Sequence, residues 1–307
     1  MKPRLSVLFL SLIIILLSAC NPQKKYIIQK KNGKIILAYK AFNDFLSSDK
    51  SWESYKSILL DAYPSVKKVH VRQIEWGNLD TVIFPKEVQN FKKEDFTQFM
   101  SQYDLETIHF LYDSVIGMAQ KVLPPLSKKE VDLCFFLPYG GCFVIPEKHL
   151  NTIYISMYIN PNEAEKIMAH EYAHILHMDR CPEEPLTLKR EIVSEGIAVF
   201  LTNLIVKDIE VCNSIPFMSE ESFEWCIQNE ESIKDTISLD LNDTTMRLFK
   251  RYISDGDWAE PPAGFVQKTG YYIGYRIIEK CYQKGMSLEE ICSLNSDMVI
   301  RKSEYFD

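Results

Sequence analysis

The stretch His170-Glu171-Tyr172-Ala173-His174 decides how this chain is interpreted, because it has the spacing H-E-x-x-H. Residues four apart share one face of a helix, so His170 and His174 can present two imidazole nitrogens to one ion. Zinc accepts imidazole ligands and keeps one position open for water in reactive sites. Glu171 would lie beside that position as a proton acceptor. The pattern therefore predicts a zinc-binding helix with Glu171 as general base.

The flanking sequence marks where this helix begins and ends. Asn160-Pro161-Asn162 supplies turn and N-cap chemistry before a run of good helix formers, and Pro182 ends the helix. A second helical run follows from about Leu186 to Val206. We therefore expect two consecutive helices, of which the first carries both histidines.

A catalytic zinc ion usually has three protein ligands and a water molecule, so one more ligand is needed. A neighbouring antiparallel helix would supply it about twenty residues on, and Glu195 lies 21 residues past His174. Gly196 and Ala198 are small enough to let the two helices approach closely. We therefore predict Glu195 as the third ligand.

Other residues compete with Glu195 for that position. Glu191 lies one turn earlier on the same helix face, where it could instead contact one of the ligands or be an exposed charge. His177 shares a face with the two motif histidines, but it lies a further turn along and is better suited to the rim. The metzincin pattern requires a histidine ten positions after His170, where this chain has Arg180.

Three short runs ahead of the motif are rich in β-branched and aromatic residues: Val131–Pro138, Gly141–Ile145 and Thr152–Ile159. They predict a small sheet that leads directly into the metal-binding helix. The fold class is therefore expected to be α+β and helix-dominated, with a zincin-like metallopeptidase fold. In such folds an edge strand can pair with an extended peptide. Either of the last two runs could have that role, or the sheet could be purely structural.

Gly270-Tyr271-Tyr272-Ile273-Gly274-Tyr275-Arg276 lies downstream, after a loop dense in glycine and proline. A phenol or a cation near a metal can stabilise the oxyanion of a tetrahedral intermediate. Tyr271, Tyr275 and Arg276 are the candidates for this role. Packing of the aromatic rings in the core is the alternative explanation for each tyrosine.

Taken together, these motifs resemble a family of predicted zinc-dependent proteases that is catalogued as a domain of unknown function and looks gluzincin-like. The resemblance rests on H-E-Y-A-H at 170–174, S-E-G-I-A at 194–198 and G-Y-Y-I-G-Y-R at 270–276, and it covers about residues 130–285. It implies a single zinc ion, with Glu171 as base and three ligands, namely His170, His174 and Glu195.

The layout is also similar to a group of Bacteroidota lipoproteins associated with gliding motility. Members of that group can lack the metal motif. The intact H-E-Y-A-H of this chain favours the catalytic branch of the resemblance.

The amino terminus has the features of a lipoprotein signal peptide. Lys2 and Arg4 precede an apolar stretch, Leu5–Leu17, which is the right size for a signal-peptide core. Leu17-Ser18-Ala19-Cys20 follows and looks like a bacterial lipobox, which predicts cleavage and lipid attachment at Cys20. Asn21 stands where an aspartate would suggest inner-membrane retention, so we expect a lipid anchor in the outer membrane of a bacterial envelope.

Four segments are predicted from the organisation of the chain. Residues 1–19 are the signal peptide, 20–32 a lysine-rich tether, 33–128 a helical N-terminal part, and 129–307 the zincin-like catalytic domain. Helical spacing of apolar residues supports the third segment near 35–48, 51–63 and 104–123.

The composition of the chain limits the classes of function that it can have. The chain has 307 residues, of which 46% are hydrophobic and 25% charged, which is ordinary for a globular protein. Its net charge of −7 would become −9 on loss of Lys2 and Arg4 with the signal peptide. An acidic surface does not suit nucleic-acid binding. Eight cysteines include no C-x-x-C motif, so we expect mostly buried free thiols and no cysteine zinc site.

We therefore predict a membrane-anchored zinc metallopeptidase that hydrolyses peptide bonds of a peptide or protein substrate. The alternative is a non-catalytic envelope lipoprotein that uses a zincin scaffold to bind a protein partner.

Overall fold

Helices dominate the computed structural model, which describes residues 25–147 and 150–307. The predicted signal peptide and Cys20 lie outside these described residues. Within them, no helix is long and apolar enough to cross a membrane. The α+β, helix-dominated class is confirmed, whereas the zincin-like assignment stays a prediction.

Within the described part of the chain, five strands form one mixed sheet in the order β1-β2-β3-β5-β4. The strands are β1 (Ile27–Lys30), β2 (Gly33–Leu37), β3 (Glu130–Phe136), β4 (Cys142–Pro146) and β5 (Leu150–Ser156). The last three correspond to the three predicted runs. Of the two runs considered for pairing with an extended peptide, β4 lies at the edge of the sheet and β5 lies inside it.

The first two strands differ from the sequence expectation. Ile27–Lys30 falls in the predicted tether, yet it pairs antiparallel with Gly33–Leu37. That second strand lies in a stretch predicted as helical, yet it pairs in parallel with β3 through the register Ile35↔Leu133. Both of these residues are fully buried. Pairing with a strand about a hundred residues away has therefore overridden the local helical spacing.

The α-helices before β3 are short, and two of them continue into π-helical turns. They are α1 (Ala38–Leu46), α2 (Trp52–Tyr55), α3 (Pro64–Glu75), α4 (Phe84–Glu87), α5 (Lys93–Ser101), α6 (Leu105–Phe110) and α7 (Ile116–Val122). The π-helical turns are Lys56–Asp61 and Leu111–Val115.

The helices after β5 include the longest of those described. They are α8 (Pro161–Met178), α9 (Leu188–Ile205), α10 (Val211–Ser214), α11 (Glu220–Gln228), α12 (Glu230–Ser238), α13 (Met246–Tyr252), α14 (Thr269–Gln283), α15 (Leu288–Ser293) and α16 (Ser296–Ser303). Helix α9 begins and ends within two residues of the predicted boundaries, whereas α8 begins at Pro161 as predicted but ends at Met178, four residues before Pro182.

The chain divides into two compact units. The first comprises the described residues up to Tyr103, with Val131–Gly141 and Tyr154–Tyr158. The second comprises Asp104–Glu130, the described part of Cys142–Ile153, and Ile159–Asp307. Both predicted metal-binding helices lie in the second unit, and the predicted boundary after residue 128 stays a prediction.

The buried cysteines of the described residues are free thiols, namely Cys134, Cys212, Cys226, Cys281 and Cys292. This confirms the expectation from the sequence.

Candidate metal centre

Helix α8 presents the H-E-x-x-H motif, and its beginning is fixed by local chemistry. The Asn160 side chain accepts a hydrogen bond from the backbone N–H of Asn162, and Pro161 occupies the first turn. Both predicted start signals are therefore used. The motif lies more than two turns further on, where the helix is buried and its side chains are held by packing.

Three side chains converge in the second unit. The Nε2 atom of His170 lies 3.0 Å from Oε2 of Glu195, and Nε2 of His174 lies 3.5 Å from the same oxygen. All three candidate ligand atoms lie within 4.8 Å of one another. Helix α8 supplies both imidazoles and α9 supplies the carboxylate, as predicted.

The ionised Glu195 carboxylate decides the charge states of this group, and a proton on His174 would have to leave before its Nε2 atom could bind a metal ion. Burial lowers the pKa of His170 to about 4, which keeps its imidazole neutral. Burial also opposes protonation of His174, but the Glu195 carboxylate outweighs it and raises that pKa to about 9. Burial would likewise protonate Glu195, yet the two imidazoles hold its pKa well below the usual value. An ionised carboxylate thus attracts a positive charge to this position.

The donor set fits zinc on chemical grounds. Two imidazole nitrogens and one carboxylate oxygen are among its usual ligands, and three protein ligands leave a position open. Among the described residues, the group able to share one ion consists of His170, His174 and Glu195. The rival candidates Glu191 and His177 do not belong to it.

The structure places His177 as a buried group outside the cluster. Burial lowers its pKa to about 3, so it stays neutral. Glu191 is half-buried, and burial raises its pKa above the usual value. Neither residue is arranged as a ligand.

Glu171 is buried next to the cluster. Burial raises its pKa to about 7, and the backbone N–H of Val144 in β4 donates a hydrogen bond to its carboxylate. A carboxylate with a pKa near neutrality can both accept and return a proton. Glu171 therefore lies where a general base would be needed, and that role stays a prediction.

Tyr271, at the start of α14, lies against the cluster. Its ring stacks on the His170 ring with centroids 5.9 Å apart and an interplanar angle of 25°. Its hydroxyl donates a hydrogen bond to the Glu195 carboxylate, and burial together with that carboxylate raises the pKa of Tyr271 well above the usual value. The phenol therefore keeps its proton, so its O–H group can donate a hydrogen bond.

The other two oxyanion candidates are engaged elsewhere. The Tyr275 hydroxyl donates to Glu279 at 2.8 Å, and Arg276 forms ion pairs with Glu279 at 2.7 Å and with Glu230 at 3.3 Å. Their polar atoms thus contact acidic residues other than Glu195. Of the three candidates, the geometry favours Tyr271.

Ser194 is a contact that sequence reasoning missed. Its hydroxyl lies 3.4 Å from Nδ1 of His174, opposite the nitrogen that faces Glu195. Groups that hold the second nitrogen of a ligating histidine fix its tautomer and orientation. Ser194 directly precedes Glu195 in S-E-G-I-A, and this position is the feature of the sequence that could have indicated the contact with His174.

The role predicted for Gly196 is wrong. It was expected to let α8 and α9 approach, but it faces α14 instead. A Cβ atom built on Gly196 would lie 2.2 Å from the carbonyl carbon of Gly274, and one built on Gly274 would lie 2.1 Å from the Ile192 carbonyl oxygen. Backbone therefore packs on backbone where α9 crosses α14.

The sequence profile of a family described as "Predicted Zn-dependent protease (DUF2268)" matches residues 125–301, which is more than half of the chain. The chain belongs to this family. The match includes α8, α9 and α14, so it spans every residue of the cluster and Tyr271. The resemblance inferred from the sequence motifs is thereby confirmed for the protease family.

No curated protein and no solved structure matches the chain. The similarity to gliding-motility lipoproteins is unconfirmed and stays a prediction.

Proposed function

We propose that this protein is a membrane-anchored zinc metallopeptidase that hydrolyses peptide bonds. The convergence of two imidazole nitrogens and a carboxylate oxygen within 4.8 Å carries the proposal. A buried glutamate next to this group and membership of a family of predicted Zn-dependent proteases support it. His170, His174 and Glu195 would hold the ion.

Zinc in such a site acts as a Lewis acid, which polarises a carbonyl group and makes water more acidic. Glu171 takes a proton from the attacking water and later passes it to the leaving amine. Burial raises the pKa of Glu171, which strengthens its carboxylate as a proton acceptor, whereas a bound cation would act in the opposite direction. The Val144 N–H orients the carboxylate, and the Tyr271 hydroxyl, which contacts the ligand Glu195, would be placed beside the ion to donate to the oxygen that gains negative charge.

Variants of one helix test this proposal. We expect the purified protein to carry about one zinc ion per chain. Glu171→Gln should keep the metal and lose turnover by roughly 100-fold or more, since it removes the proton acceptor and preserves shape. Glu165→Gln, a half-buried residue of the same helix, is the matched control. A protein that stays metal-free after zinc-replete preparation would contradict the proposal.

The same variant separates the enzyme from the alternative function. A lipoprotein that only binds a partner has no need of Glu171. If the Glu171→Gln variant fully restored the wild-type phenotype to a deletion strain, the binding function would be favoured.

We propose that lipid on Cys20 anchors the mature chain to the outer membrane. The lipobox Leu17-Ser18-Ala19-Cys20 supports this. Labelled palmitate should be incorporated into the wild-type protein, and Cys20→Ser should abolish both the label and membrane fractionation. Equal labelling of the two proteins would count against the anchor.

A further inference from the structure

We propose that Lys268 is a positioning residue, whose ammonium group holds the Tyr271 ring against His170 and its hydroxyl at Glu195. This inference rests on the proposed function, because it gives Tyr271 a defined place beside the ligands. It adds a residue that lies outside the H-E-x-x-H and S-E-G motifs.

Lys268 is an unusual lysine because its side chain is only 7% exposed. Its Nζ atom donates to the carbonyl oxygen of Pro216 at 2.7 Å and pairs with Asp255 at 2.9 Å. Burying an ammonium group costs free energy unless it is paired and hydrogen-bonded. Both partners are present, so the charge is held at a fixed point.

That fixed charge lies over an aromatic ring. The Nζ atom is 4.8 Å from the centroid of the Tyr271 ring, within the range of a cation–π interaction. The Tyr271 ring also stacks on His170 at 5.9 Å. The ring thus has contacts with both the ammonium group and the imidazole, which restrict its rotation. Its hydroxyl is thereby kept at Glu195.

Phe217 adds another contact to the ammonium group. Its ring centroid lies 5.2 Å from the Nζ atom of Lys268, although its own side chain is 56% exposed. The rings of Phe217 and Tyr271 therefore both contact one cation. A lysine that served only to pair with Asp255 would not require two aromatic neighbours.

The backbone conformation at position 268 indicates that the identity of its side chain matters. Lys268 has φ 60° and ψ 25°, and Phe217 has φ 60°. This left-handed region is disfavoured for residues other than glycine, because Cβ comes too close to the following carbonyl oxygen. Such outliers concentrate at functional sites. Glycine would relieve the strain at position 268, but it would also remove the ammonium group.

The test compares Lys268→Met with Lys268→Arg in the full chain. Methionine keeps the apolar stem and removes the charge, so we expect kcat to fall about 10-fold with KM within about 2-fold. Arginine keeps the charge over the ring and should restore most of the activity. Lys250→Met is the matched control, because Lys250 also forms an ion pair, at 2.8 Å with Glu260, and lies 5.6 Å from the Trp258 ring.

A double-mutant cycle distinguishes positioning from general support of the fold. If Lys268 acts through the hydroxyl, Lys268→Met should have no further effect on kcat in a Tyr271→Phe background. Equal effects in both backgrounds, or an effect no larger than that of Lys250→Met, would overturn the proposal. If Lys268→Met does not fold, Asp255→Asn replaces it in the cycle, because it loosens the lysine without removing it.

Cobalt(II) provides a readout that does not require turnover. Its visible absorption reports the geometry of the ligands, and the Tyr271 hydroxyl contacts one of them. We expect Lys268→Met and Tyr271→Phe to shift the spectrum alike, whereas Lys250→Met leaves it unchanged. A wild-type protein that binds cobalt but cleaves no peptide would defeat the proposed function alone, since these spectra would still decide the role of Lys268.

Discussion

Substituting Gly196 with alanine should displace the predicted third metal ligand. Gly196 follows Glu195 on α9 and packs on the backbone of Gly274 in α14. The added methyl group would lie 2.2 Å from the Gly274 carbonyl carbon and 2.3 Å from its oxygen. Both atoms belong to backbone, so no side-chain rotation can relieve the contact.

The size of the effect follows from these distances. Carbon atoms in contact lie roughly 3.5–4.0 Å apart, so the two helices must separate by about 1 Å or more. Overpacking of this kind costs about 1–3 kcal/mol of stability, partly offset by about 1 kcal/mol because alanine favours helix. A shift of about 1 Å exceeds the tolerance of a zinc–oxygen bond, so we expect zinc affinity to fall at least 10- to 100-fold.

Chelator competition would measure the zinc affinity, and thermal unfolding of the metal-free protein would measure stability. Gly117→Ala is the matched control, since Gly117 also lies in a helix and a Cβ there meets no atom within 4 Å. We expect that control to bind zinc normally and to unfold at the same or a slightly higher temperature. Wild-type affinity and stability in Gly196→Ala would refute the inference that this helix crossing positions Glu195.

Further predictions concern α14 and α12. Tyr271→Phe should lower kcat roughly 100-fold while keeping the metal. Tyr275→Phe should change kcat less than 2-fold, because the Tyr275 hydroxyl is held by Glu279. Steady-state kinetics that showed equal losses of kcat in the two variants would contradict this assignment. Glu230→Gln should cost about 1.5–3 kcal/mol at pH 7, because three donors contact this carboxylate. Those donors are Tyr272, Tyr305 and Arg276. Burial alone would raise the pKa of Glu230, but the donors lower it, so this stabilisation is complete above about pH 4.5 and lost as pH falls further. Urea unfolding should show a smaller difference in the free energy of unfolding between wild type and variant at pH 4 than at pH 7. An equal difference at both pH values would contradict the lowered pKa of Glu230.

Local chemistry was sufficient to predict the helices of the site. The N-cap at Asn160 and the spacing of His170 and His174 depend on neighbours within a few turns. Glu195 was also predictable, because consecutive helices limit where a third ligand can come from. Each of these predictions needed only residues close together in the chain.

The remaining features depend on partners far away in the sequence. Strand β2 is stabilised by parallel pairing of Ile35 with Leu133, and local spacing gives no sign of it. Gly196 was recognised as a close contact, but its partner Gly274 lies on a helix that sequence spacing could not orient. The contact of Lys268 with the Tyr271 ring is local in sequence, but it depends on a left-handed backbone conformation at Lys268 that the residue type does not predict.

Anomalous diffraction at the zinc absorption edge, on crystals of the zinc-loaded protein, tests the central claim most directly. We expect one strong peak bonded to Nε2 of His170, Nε2 of His174 and a carboxylate oxygen of Glu195, at about 2.0–2.2 Å from each. A site without a peak, or a peak from which the Glu195 carboxylate turns away, would contradict a metal centre built from these three residues.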